Sequence, residues 1–89
     1  MKDTNRLLNT LNDEKQWLED RISRLPNGYI SVKTINNTTY YYLQHREGKQ
    51  ILSSYVPREQ IKSVRRRIKA RKSFEKQLKL VNAEIAAIR

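Results

Sequence analysis

Seven cations fall in one helical register between residues 58 and 79. Arg58, Lys62, Arg65, Lys69, Lys72, Lys76 and Lys79 follow one another at steps of four, three, four, three, four and three, the spacing that gathers side chains on one face of an α-helix. At the standard rise the row is roughly 30 Å long, about 100° round from the apolar positions Ile61, Val64 and Ile68. Arg66, Arg67 and Arg71 widen it. Like charges at this spacing repel by about 0.2–0.5 kcal/mol per pair. A helix that tolerates the repulsion along its length is expected to meet a polyanion, where counter-ion release would offset it. Arginine and lysine stems also cover apolar surface, so part of the row serves packing.

A second group of cations lies upstream, at Lys33, Arg46 and Lys49, on either side of the run Tyr40-Tyr41-Tyr42. Tyr40 and Tyr42 are candidates for stacking on bases or for lining a protein contact. Tyrosines in a strand also serve cross-strand packing, the commoner use.

The inventory for catalysis is poor. His45 is the single histidine and reads as a surface strand residue. Ser53 and Ser54 have no base and orienting group in view, as a nucleophile needs. The carboxylates concentrate in residues 1–25, at positions suited to intrahelical pairing. No cluster has the form of a metal site, and no glycine-rich phosphate loop is present. We expect a non-enzymatic binding protein without cofactor or metal.

The charge balance agrees with that expectation. The chain has 89 residues, 19 basic and nine acidic, for a net charge of +10. Residues 1–25 hold five of each sign, whereas residues 58–89 hold eleven basic and three acidic. Such asymmetry points to nucleic acid, to an acidic protein or ribonucleoprotein surface, or to an anionic membrane. The membrane is the weakest of these, because the apolar residues of the rear segment form a packing seam rather than a lipid-facing set rich in tryptophan and phenylalanine. The absence of cysteine removes disulfides and thiolate metal sites. No apolar run has the length of a signal peptide or membrane span, so a cytoplasmic location is expected.

The elements that carry these residues are legible in outline, as an α+β single domain over residues 1–89. A helix is predicted over 4–25 from Leu7, Leu8, Leu11, Leu18, Ile22 and Leu25, with Trp17 beside the stripe and Asp3 or Thr4 as its cap. It stops at Leu25-Pro26-Asn27-Gly28. Three strands follow within 29–56, joined at Asn36-Asn37 and at Arg46-Glu47-Gly48-Lys49. Connections this short force an antiparallel meander. Alternation sends Tyr41 and Leu43 to one face and Tyr40, Tyr42 and Arg46 to the other. A basic helix then runs over 57–88, opened by Pro57, with Phe74, Leu78, Val81, Ile85 and Ile88 extending its apolar stripe and Arg71 in a gap.

The two helices are expected to pack as an antiparallel stalk. At about 33 Å and about 48 Å their lengths differ, which would leave Leu78, Val81, Ile85 and Ile88 near an uncovered tip. Either this tip pairs with a second copy or a partner, or the helix breaks near Asn82.

The segment Leu25-Pro26-x-Gly28, Ser31-x-Lys33, Tyr40-Tyr41-Tyr42-Leu43-Gln44-x-Arg46-x-Gly48-Lys49 and Ser54-Tyr55-Val56-Pro57-x-Glu59 resembles a family of small uncharacterised bacterial and phage proteins, largely a domain of unknown function. With the charged helix behind it, the resemblance spans about 60 residues. It implies a sheet followed by a helix and an association with mobile elements. That arrangement is similar to the arm-type DNA-binding domain of integrases, an analogy of fold alone. This chain departs from it in having a long helix in front and a longer one behind.

Two functions of different class follow. The first is a nucleic-acid-binding accessory protein of phage or mobile-element origin, gripping phosphates through Lys62, Arg65, Arg66, Lys69 and Lys72. The second is a protein-interaction module, such as a phage-encoded inhibitor of the anti-CRISPR kind acting on a host nucleic-acid-processing complex.

Overall fold

A computed structural model describes residues 2–88. Its order is a helix α1 (Lys2–Ser23), three strands β1 (Tyr29–Ile35), β2 (Thr38–Glu47) and β3 (Gln50–Val56), a single 3₁₀ turn (Arg58–Gln60) and a helix α2 (Ile61–Ile88). This is the expected α+β arrangement of helix, antiparallel meander and long helix. The chain divides into two compact units, Met1–Leu25 with Ala70–Arg89, and Pro26–Lys69.

In the helical unit, α1 starts earlier than the capping residues predict. Asp3 and Thr4 lie inside its first turn, where the Asp3 carboxylate suits the positive end of the dipole. The apolar stripe of α1 packs antiparallel on residues 70–88. Leu11, Leu18, Val81 and Ile85 form the buried cluster, with Leu8, Phe74, Leu78 and Ile88 packed against it. Leu18 is 1% exposed.

This packing corrects the expectation of an uncovered tip. Val81 and Ile85 are only 5% and 7% exposed, and α2 continues unbroken past Asn82 to Ile88. Leu78 and Ile88 are half-buried on the same cluster. The reason is one of length. The first turns of α2 belong to the other unit, so α1 at about 33 Å need cover only residues 70–88, at about 28 Å. Leu80, outside this cluster, stays 66% exposed.

The C-terminus of α1 is closed by Arg71. The backbone tightens first, with Arg24 N donating to Arg21 O and Leu25 N to Ile22 O. Arg71 Nη1 then donates to the carbonyls of Ile22 (3.0 Å) and Leu25 (2.8 Å). A cation belongs there, because the last carbonyls of a helix are unpaired and carry its negative pole. Glu75 lies one turn along α2, 3.6 Å from Arg71 Nε. Arg71 thus interrupts the apolar stripe because it faces a helix end rather than a side chain.

In the sheet unit the strand order is β1-β2-β3. Asn36 and Asn37 both take positive φ, 50° and 65°, the requirement of the two-residue turn whose twist matches a hairpin. The second turn is tighter than the sequence indicates. Glu47 pairs with Gln50, leaving Gly48 and Lys49 as a two-residue loop with positive φ (62°) on the glycine. At Gly28 the backbone runs so close to the Gln44 carbonyl that a Cβ would strike it, and φ is 120°. The pairing that starts β1 therefore requires glycine.

Candidate nucleic-acid interface

The register decides which side chains share a face. Ser31 stands opposite Tyr42, Lys33 opposite Tyr40, Tyr42 opposite Tyr55 and Arg46 opposite Ile51. Alternation then places Tyr29, Tyr40, Tyr42 and Tyr55 on one face with Lys33 and Arg46. Tyr41, Leu43 and His45 take the other, and all three are half-buried. His45 is therefore less exposed than its expected place on the surface; it sits in mid-strand opposite Leu52 because β2 runs two residues past it.

The tyrosine face has a defined centre. Lys33 Nζ lies 5.3 Å from the centroid of the Tyr42 ring, a cation–π contact between β1 and β2. The Tyr42 ring meets Tyr55 edge-on, with centroids 6.0 Å apart and planes at 68°. Lys33, Tyr42 and Tyr55 thus form a row across all three strands. Tyr55 is 59% exposed and Ile35 and Ile51 are also open, whereas Tyr40 and Tyr42 in the central strand are half-buried.

A polar concavity of about 420 Å³ adjoins the row. Asn37, Thr38 and Thr39 of the first hairpin line it, together with Tyr40, Tyr55 and Arg58. Hydroxyls, a side-chain amide and a guanidinium converge there. Such donors position a phosphate group.

The remaining cations of this unit lie in the turns of α2 up to Lys69. Lys62, Arg65, Arg66, Arg67 and Lys69 are all exposed, while Ile61 and Val64 are half-buried and Ile68 is buried. Lys49 lies exposed in the second hairpin turn. Nine basic and two acidic residues fall within Pro26–Lys69, a net charge of +7 out of the chain's +10. Two carboxylates, Glu47 and Glu59, cannot neutralise nine cations.

Not every expected cation joins this set. Arg71 leaves it, because its guanidinium is committed to the end of α1. Lys72 and Lys76 are exposed but belong to the helical unit. Tyr55 and the threonines of the first hairpin were not expected in the set. Counting outward from two-residue turns on either side of β2 would have placed Tyr55 against Tyr42.

Among the described residues, no three His, Cys, Asp or Glu side chains gather as metal ligands, and no helix is long and apolar enough to cross a membrane. No curated protein and no solved structure matches the chain. A family model described as a domain of unknown function, DUF6788, matches residues 8–66, from α1 through the sheet into the second turn of α2. The match takes in the whole tyrosine face and the cations up to Arg66. The chain belongs to the DUF6788 family.

Proposed function

We propose that the sheet unit binds nucleic acid, gripping phosphates with Lys62, Arg65, Arg66 and Lys69 of α2 while the tyrosine face lies against the sugar–base edge. The observation that carries this reading is the coincidence, within 44 residues, of a net charge of +7 and a sheet face bearing four tyrosines, of which Tyr29 and Tyr55 are exposed. Aromatic rings accept bases of any sequence, and cations beside them neutralise the backbone. Lys33 supplies both features at one point, since its ammonium rests on Tyr42. Arg46 and Lys49 extend the positive edge, and Arg58 with the hairpin hydroxyls offers a seat for one phosphate. The work is binding rather than catalysis. The biological setting we assign is that of an accessory protein of a phage or mobile element, in keeping with the resemblance of the Leu25–Glu59 segment.

The test is affinity for duplex DNA and for structured RNA over a salt series. Neutralising four to six phosphates gives a slope of log K against log salt of about −4 to −5 on duplex. A slope near zero overturns the reading. So does retention of an acidic protein partner with unchanged affinity after all nucleic acid has been digested.

A further inference from the structure

The helical unit carries a second aromatic and cationic feature, separate from the sheet. Trp17 precedes Leu18 by one residue and so lies about 100° from the buried seam of α1. Whereas Leu18 is sealed, Trp17 is 50% exposed. Its indole nevertheless has two neighbours. Phe74 of α2 meets it edge-on, with centroids 5.7 Å apart and planes at 89°. Arg21, one turn along α1, places its guanidinium carbon 5.0 Å from the indole centroid. Arg24, a further turn on and paired with Asp20, joins Leu25 in closing the rim.

These five side chains line an open apolar concavity of about 250 Å³. Pockets for drug-sized ligands start at about 300 Å³, so this one suits a single ring rather than a cofactor. We propose that it is a stacking site for one unpaired nucleobase, with the guanidinium of Arg21 held for the adjoining phosphate. The Arg21 guanidinium lies over one face of the indole, so the base takes the part of the π surface that lines the concavity, with the cation beside it. The guanidiniums of Arg21 and Arg24 on its lining favour an anionic polymer over an apolar peptide as occupant. The proposal rests on the reading of the protein as a nucleic-acid binder and adds that it takes strands with unpaired bases.

Trp17 is the sole tryptophan, so its emission reports on this site alone in the intact protein. End-labelled oligothymidylate and an abasic deoxyribose-phosphate strand of equal length are titrated in, reading label anisotropy and Trp17 emission together. The expected result is binding of both strands, with quenching by the base-bearing strand only. Trp17→Ala is expected to weaken the base-bearing strand by about 5- to 100-fold and to leave the abasic strand unchanged. Trp17→Phe keeps a ring and most of the affinity, and helical circular dichroism verifies that both variants fold. Binding of both strands with unmoved emission and no effect of Trp17→Ala overturns the stacking site and leaves phosphate gripping intact. Failure of every strand to bind at low salt overturns both. Quenching by an acidic aromatic peptide but not by oligothymidylate also overturns the proposal, in favour of a protein occupant.

Discussion

The guanidinium of Arg71 donates twice from one nitrogen, to the carbonyl of Ile22 in the last turn of α1 and to that of Leu25 just beyond it, and only 20% of its side chain is exposed. Charge-assisted hydrogen bonds contribute about 1.5–3 kcal/mol, and their loss leaves acceptors unpaired. Arg71→Met keeps much of the stem but removes the donors. It is expected to lower unfolding stability by about 1.5–3 kcal/mol in urea titrations, with Arg71→Lys recovering part of the loss. The same variant should leave the salt slope of nucleic-acid binding unchanged once the protein is verified as folded; a slope that falls by about one would return Arg71 to the phosphate-gripping set. The sequence put Arg71 in the basic row because its spacing fits that row loosely. Its position in a gap of the apolar stripe was the better signal. A cation at a seam position faces inward, and inside this unit a helix C-terminus is the group that can receive it.

At the scale of elements, periodicity gave existence and order, and turn chemistry gave topology. The two asparagines at positive φ and the glycine of the second turn fix both hairpins. Strand ends were harder to read. Arg46 and Glu47 look like loop residues by type, yet they continue β2 because a two-residue turn suffices at Gly48-Lys49. That difference moves the register and hides the pairing of Tyr42 with Tyr55. The stalk was legible as a pair of stripes, but not its extent, because nothing in the pattern of α2 marks where one unit gives way to the other. The seam allows a direct check. Leu18→Ala leaves a cavity beside Leu11, Val81 and Ile85 and should destabilise by about 2–5 kcal/mol. Ile85→Ala should act in the same way, by an amount independent of protein concentration. A denaturation midpoint for Ile85→Ala that shifts with concentration would mean that the seam is shared with a second copy.

For the whole molecule the question is which part of the excess charge is used. The sheet unit holds +7 and the helical unit the remaining +3. If phosphates are gripped by the sheet unit, removing its cations must reduce counter-ion release, and removing the lysines of α2 beyond Ala70 must not. Lys62, Arg65 and Lys69 share one exposed face of α2. Replacing all three with glutamine keeps the stems that cover apolar surface. The triple variant should therefore fold as the parent does while its slope of log K against log salt becomes shallower by up to about 2.7, at about 0.9 per phosphate on duplex DNA. Replacing Lys72, Lys76 and Lys79 in the same way removes an equal charge from the helical unit, so general repulsion within the protein changes by the same amount. Its slope should stay close to that of the parent. Equal losses from the two triple variants would show that binding follows net charge without regard to place. The tyrosine face would then be left without its cationic partner on α2, and the assignment of the interface to the sheet unit would fail.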